Sequence, residues 1–352
     1  MLVFFVLFST FVSYASGIPE STVARLKSLY PDQTDTFVRE RITVATTAQD
    51  KWTAFPPYFY HLVDRASKDS LSGRIGLCAG DAHLENFGFL LHNGSALFGL
   101  NDLDDSAMCS LDQDTMRLFI GHRLLTNFSD KDWLDAYHRG VHRTLIAMPK
   151  VVSSLKKDSE AAGEKLTKKL AKIYDGSCAG EFSPLGQVEL DLLKANFPQF
   201  IKGCARLKIK GGSAGNRRFL VFYKIDQDIR AFELKPLVTP APLYKTKLSE
   251  DERSALYRRS VSFFLGDTFK REYYPVKLGT VLYQRRPLSA GNMAIQYDDL
   301  ASRDLEEVLF YEAYILGKYH SMSSTRDLGI STPRFVEIAD KLMKKWKSEF
   351  GE

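Results

Sequence analysis

Apolar and polar positions along the chain change their period several times. Residues 19–70 repeat with helical spacing, punctuated at Pro31 and broken firmly at Pro56-Pro57. A short apolar run over 74–79 leads into the polar cluster Gly80-Asp81-Ala82-His83-Leu84-Glu85-Asn86. Residues 87–91, the turn His92-Asn93-Gly94-Ser95 and residues 96–100 predict a β-hairpin. It runs into a second acidic cluster, Asn101-Asp102-Leu103-Asp104-Asp105. Helical patterns follow over 112–125, 131–147 and 153–174. The texture then changes to strand-like runs at 206–210, 219–225 and 231–234, the first two separated by Gly211-Gly212-Ser213-Ala214-Gly215-Asn216. Residues 249–265 read as helix, 276–286 as strand, and 305–322 and 333–350 as helix. The expected order is a helix-rich part, a β-rich block at 204–290, and a second helix-rich part.

Composition narrows the class. With 44% hydrophobic and 26% charged residues, the chain is neither disordered, collagen-like nor a multi-pass membrane protein. Its 24 Phe and 16 Tyr can build a substantial core, and the length suits one two-lobed unit or two domains. A net charge of +5 without a basic stripe argues against a nucleic-acid binder. Mixed charges over 156–172, and Lys341, Lys344, Lys345 and Lys347 on the last helix, read as solvated faces. Residues 2–15 form an apolar run followed by Ala15, Ser16, Gly17 and Pro19. That run is too short to span a membrane, so residues 1–17 are expected to be a signal peptide, with export to the periplasm or beyond. No Lys or Arg precedes it, and a cytoplasmic chain with a misassigned start is the alternative. Cys78, Cys109, Cys178 and Cys204 form no C-x-x-C pair, which argues against zinc. Three full disulfide pairings and free buried thiols all remain open.

The two acidic clusters carry the candidate chemistry. Phosphoryl transfer needs a carboxylate to orient the attacking hydroxyl and oxygen ligands to hold Mg²⁺ on the phosphates. Asp81 supplies the first. Asn86, Asp102 and Asp104 supply the second, because a hairpin between the clusters returns Asp102 beside Asp81. Asp and Asn also favour turns and caps, so each cluster alone has a plain structural reading. Gly212, Ser213 and Gly215 lie between strands, where backbone amides can approach phosphates, and Lys235 ends a later strand where it can pair with them. A kinase-like chain runs glycine loop, strand lysine, helix, strands, helix, catalytic loop, metal aspartate. Here that order is restored by reading cyclically from Gly211. Circular permutation gives such an order where parent termini are close.

These segments resemble a known family. Gly80-Asp81-Ala82-His83-Leu84-Glu85-Asn86-Phe87-Gly88 resembles the signature of the bacterial domain of unknown function 2252 family. Asn101–Asp105 is similar to its N-D-F-D-E, and Asp114-Thr115-Met116-Arg117-Leu118 to its D-L-K-R-L. Gly212-Ser213-Ala214-Gly215-Asn216-Arg217-Arg218-Phe219 is similar to its G-S-V-G-T-R-R-Y, Leu234-Lys235 to its V-K, and Leu316-Gly317-Lys318-Tyr319-His320 to its L-A-x-A-H. The resemblance spans residues 52–322 and implies kinship with protein kinases and aminoglycoside phosphotransferases. By position it implies Asp81 as catalytic base, Asn86 and Asp102 as Mg²⁺ ligands, Lys235 on the nucleotide phosphates, and Asp114 as an anchor of the catalytic loop. Ala79 stands where phosphotransferases carry a His, and Glu252 is out of register with the family's helix glutamate.

The expected protein is therefore a two-lobed α+β fold, protein-kinase-like in circularly permuted order. Residues 18–203 and 291–352 would form the helical lobe and 204–290 the nucleotide lobe. The expected function is transfer of phosphate from Mg²⁺-ATP to an unknown hydroxyl acceptor, with His83 fixing the loop. One alternative is a non-catalytic pseudokinase binding module, favoured by export because ATP is scarce outside the cytoplasm. Another is a metal-dependent phosphoesterase using Asp81-x-His83, which lacks the further His motifs it would need. No membrane span is expected in the mature chain.

Overall fold

The computed structural model describes residues 20–30, 35–66, 71, 73–207, 217–324, 328 and 331–350. The expected leader and the glycine-rich segment with Gly212, Ser213 and Gly215 lie outside these residues. Helices α1 (Glu20–Leu29), α2 (Asp35–Val44), α3 (Ala48–Ala54) and α4 (Pro56–Ala66) come first. Pro56 and Pro57 open α4, because a first turn has no use for their missing N–H groups. The break expected there is thus confined to Phe55, the C-cap of α3.

Strand β1 (Ile75–Cys78) precedes the hairpin of β2 (Phe87–His92) and β3 (Ser95–Leu100). Asn93 and Gly94 close that hairpin, both with positive φ (49° and 76°), as a tight two-residue turn requires. Strand β4 (Ala107–Ser110) pairs antiparallel with β1, and a disulfide between Cys78 and Cys109 joins the two. Helices α5 (Leu111–Leu125) and α6 (Asp130–Val141) follow. α6 ends short of the expected 131–147, since Arg143 takes a positive φ of 56°. The helix expected at 153–174 is two, α7 (Lys150–Ala162) and α8 (Lys168–Asp175), parted at Gly163 with φ 64°.

A six-stranded antiparallel sheet follows, built from β5 (Phe182–Pro184), β6 (Phe200–Leu207), β7 (Arg217–Ile225), β8 (Asp228–Pro236), β9 (Tyr274–Leu278) and β10 (Val281–Leu288). Helix α9 (Gln187–Asn196) lies between β5 and β6, and α10 (Glu250–Ser260) between β8 and β9. The strand order is β5-β6-β7-β8-β10-β9. The strand expected at 276–286 is thus the β9–β10 hairpin, and residue 204, where the β-rich block was expected to begin, falls inside β6. Strand β11 (Met293–Ala294) joins the β2–β3 hairpin, and α11 (Ser302–Ser323) and α12 (Thr332–Phe350) close the chain. Among the described residues, no helix is long and apolar enough to cross a membrane. The architecture is mixed α+β with several antiparallel sheets.

Alternation along the strands gives the large sheet two unlike faces. Ala205, Phe219, Val221, Phe232 and Leu234 share one face with Leu193 of α9. The other face is apolar at one end, where Cys204, Leu220, Phe222 and Ala231 meet Leu170 and Ile173 of α8. At the other end the same face carries Arg218, Glu233, Lys235, Gln284 and Arg286, most of them buried. Cys178 and Cys204 form a second disulfide beside the apolar end. α12 turns Phe335, Ile338, Leu342 and Trp346 inward and leaves its lysines outside, as its pattern predicts.

Helices α6 and α11 approach with glycine against backbone. A Cβ on Gly140 would lie 2.1 Å from the Tyr314 carbonyl oxygen, and one on Gly317 2.2 Å from that of Tyr137. Neither backbone can yield as a flexible side chain would. Gly317→Ala is therefore expected to cost about 1–3 kcal/mol, the usual penalty of overpacking. Urea denaturation of the variant beside the parent chain checks this, and equal midpoints would contradict the close crossing.

Candidate functional site

The loop between β1 and the short turn Leu84–Asn86 is held from beneath by α5. Asp114, in the first turn of that helix and fully buried, accepts hydrogen bonds from the backbone N–H groups of Ala79 (2.8 Å) and Gly80 (3.0 Å). His320 of α11 supplies a third bond through Nε2 at 3.0 Å, while its Nδ1 lies 2.8 Å from the Tyr137 hydroxyl. Arg74 donates to Asp112 (2.7 Å) and to Tyr137 (3.0 Å), extending the network. Gly80 turns the loop with φ 81°, and a Cβ there would sit 1.7 Å from the Asp105 carbonyl oxygen. Only glycine satisfies both constraints. The Tyr60 hydroxyl donates to the Gly80 carbonyl at 2.7 Å.

Asp81 follows. Arg117, one helical turn beyond Asp114 on the same face of α5, donates to Asp81 Oδ1 from Nε (2.9 Å) and from Nη2. The guanidinium also lies over the rings of Trp52 and Phe59. His83 Nε2 stands 3.4 Å from the other oxygen, Oδ2. Burial works to raise the Asp81 carboxyl, but Arg117 and then His83 outweigh it and hold it at about 2. Asn86 donates through Nδ2 to the Asp81 carbonyl at 2.9 Å, so its side chain closes the loop it ends. From α11, Glu312 accepts a 2.6 Å bond from the Tyr297 hydroxyl, which also lies 2.6 Å from the Leu84 carbonyl.

The second acidic cluster meets the charged end of the large sheet. Lys235 Nζ of β8 donates to Asp102 Oδ2 (2.6 Å) and to both oxygens of Asp104 (2.9 and 2.8 Å). Arg286 of β10 stands 3.5 Å from Asp102 and donates to Glu233 at 2.9 and 2.6 Å. Arg218 of β7 donates to Glu233 at 2.9 Å. Burial favours a neutral Asp102, yet Lys235 and Arg286 hold its carboxyl well below the usual range. Burial and then the charge of Asp102 push Asp104 up to about 6. Asp105, which accepts the Ala241 N–H at 2.6 Å, is raised well above its ordinary value by burial and then by Asp104 and Asp81. Glu233 is held at about 2, because Arg286 and Arg218 overcome its burial.

Lys235 thus joins Asp102 and Asp104, distant from it in sequence, in one ion-paired group, while Asp81, His83 and Asn86 share the loop beside β1 and Asp114 holds that loop from α5. Arg117, Arg286, Glu233, Arg218 and Glu312 were not singled out from the sequence. Arg117 had a local signal in its three-residue spacing from Asp114; Arg286 and Glu233 meet through strand register. Among the described residues, no group of three or more His, Cys, Asp or Glu side chains is arranged to hold a metal ion.

Asp114→Ala is expected to destabilise the fold by about 3–5 kcal/mol, since two backbone donors and His320 lose their partner in a buried setting. Equal urea midpoints for variant and parent would contradict this. For Asp81 the folded carboxyl lies below its unfolded value, so its stabilisation is present above about pH 4 and lost as pH falls toward 2. The contribution at neutral pH is about 2 kcal/mol. Asp81→Asn should lower stability at pH 7 and lose less than the parent between pH 5 and 2.5, as read by urea melts across that range.

The model of a family described as an uncharacterized protein conserved in bacteria (DUF2252) matches residues 58–132. No curated protein and no solved structure matches the chain. The matched residues run from α4 into the start of α6 and contain Asp81, Asn86, Asp102, Asp104, Asp114 and Arg117, whereas the six-stranded sheet and Lys235 lie beyond them.

Proposed function

We propose that the chain is a kinase-like phosphotransferase, working from Mg²⁺-ATP onto a hydroxyl acceptor. The observation that carries this reading is the meeting of Lys235 with Asp102 and Asp104. A strand lysine and a post-hairpin aspartate meet where a nucleotide's phosphates and their metal would be clamped. Element order supports it. From β6 the chain passes residues 208–216, β7, Lys235 on β8, α10, the β9–β10 hairpin and α11; the loop with Asp81 and then Asp102 complete the cycle. A kinase-like chain read in rotation would have this order.

The donors suit a hard cation. Asp102 Oδ1 is buried and has no hydrogen-bond partner among the described residues. Asp102 and Asn86 would hold Mg²⁺, with Asp104 next to them, and the ion would supply charge neutralisation on the phosphates. Lys235 and Arg286 would share that task when released from the carboxylates. Asp81 is ionised at neutral pH and pinned by Arg117, and it would hold the acceptor hydroxyl in line with phosphorus. Transfer through a loose transition state asks for that alignment more than for a strong base.

A second reading is a binding module without transfer, and one observation favours it. Glu252 of α10, the helix after Lys235, is spent on that helix's own N-cap, bonded to Ser249 at 2.7 and 2.8 Å. Lys235 therefore has aspartates and no helix glutamate among its partners. The two disulfides fit an oxidising compartment, where ATP is scarce.

Calorimetric titration of Mg²⁺-ATP separates the readings. Binding is expected in the parent chain, lost in Asp102→Ala and retained in Asp81→Ala. Transfer to a hydroxyl acceptor should fall about 10²–10⁴-fold in Asp81→Ala. Unchanged nucleotide affinity in Asp102→Ala would overturn the proposed site. Binding without turnover in the parent chain would favour the module.

A further inference from the structure

A cavity lies beside the last residues of α10. It encloses about 620 Å³ and is lined by Arg258, Arg259, Ser262, Phe263, Lys270, Tyr273 and Met322. None of these is a residue of the proposed transfer site. The wall comes from the last residues of α10, the π-helical turn Val261–Leu265 that continues it, the 3-10 turn Asp267–Arg271 with the adjacent Tyr273, and the end of α11.

Its chemistry is one-sided. Three lining residues are cations and none is an acid. Lys270 is paired with Asp267 at 2.6 Å, and the Ser262 hydroxyl donates to the same carboxylate. Arg258 and Arg259 have no carboxylate partner among the described residues, and both are exposed. Arg258 and Arg259 lie inside a helical run that continues through a π-helical turn to Leu265, so the helix dipole does not account for their place. The apolar lining beside them comes from Phe263, from Met322, which is 47% exposed, and from Tyr273, which is buried. Both arginines line the cavity and neither is neutralised by a carboxylate there, so an anion entering it meets uncompensated positive charge. Guanidiniums also bind phosphate oxygens in a forked geometry and with charge assistance. The aromatic walls offer a flat apolar body its complement.

We infer that this cavity is a binding site for a small aromatic phosphate monoester, with the phosphate on Arg258 and Arg259 and the ring against Phe263 and Tyr273. The site is independent of the proposed transfer reaction, and it stands or falls separately.

The test is calorimetric titration of phenyl phosphate into the full chain at low ionic strength, with inorganic phosphate and phenol run alongside. Phenyl phosphate should bind more tightly than either. The exposed pair Arg258→Ala/Arg259→Ala should weaken it by about tenfold or more, and Phe263→Ala should narrow its advantage over inorganic phosphate. Lys235→Met, whose fold is checked by circular dichroism, should leave it unchanged. No binding to the parent chain, equal binding to the double-arginine variant, or loss in Lys235→Met alone would each overturn the assignment.

Discussion

A carboxylate removed from water must find its hydrogen bonds inside the protein, and Asp114 finds three of them at one junction. Two come from consecutive backbone amides at the start of the acidic loop and one from His320 on a helix near the far end of the chain. The penalty for leaving such a group unmet is several kcal/mol, so the loop, α5 and α11 adopt one relative arrangement. Everything described around Asp81 inherits it. Arg117 reaches Asp81 because α5 is already seated, and Gly80 turns because the backbone of Asp105 leaves no space for a side chain. The same helix that anchors the loop also sets the charge of its carboxylate.

The junction with the large sheet follows a different logic. Lys235, Arg286, Arg218 and Glu233 occupy half of a sheet face whose other half is ordinary apolar core. Charges buried this way are tolerated only when each has partners, and Asp102 and Asp104 supply them to Lys235 across the interface. The asymmetry between the two aspartates is a result of crowding. One lysine cannot fully stabilise two neighbouring carboxylates, so Asp102 is held well below the usual range while Asp104 is pushed up to about 6. A polyanion with a divalent ion would change that balance more than any neutral ligand.

How much of this could be read from the chain depended on the range of the interaction. Asn93-Gly94 between apolar runs specifies its hairpin locally, and the two acidic clusters on either side of it were legible for the same reason. The split between α7 and α8 was not, because charges interleave with helical period on both sides of Gly163. β6 begins at Phe200, earlier than expected, since Phe200-Ile201-Lys202-Gly203 lacks clean alternation and its partner β7 decides the pairing. Pairings between distant residues were the least legible. Arg286 faces Glu233 through register, and the cysteine partners are set by which strands lie side by side. Lys235 was picked out as a strand-end lysine, but its carboxylate partners become visible only with the sheet docked against the loop.

The disulfide between Cys78 and Cys109 has one more consequence. It closes a covalent ring whose ends are 31 residues apart in sequence, and Asp81, Asn86, Asp102 and Asp104 all lie within that ring. Their mutual distances are therefore bounded even when the chain is unfolded, which removes loop entropy worth about 4 kcal/mol from the denatured ensemble. A single backbone cut anywhere between the two cysteines would leave both fragments in one molecule. The acidic segments would reach their neighbours in the folded protein as a preassembled cycle, with much of the search already done.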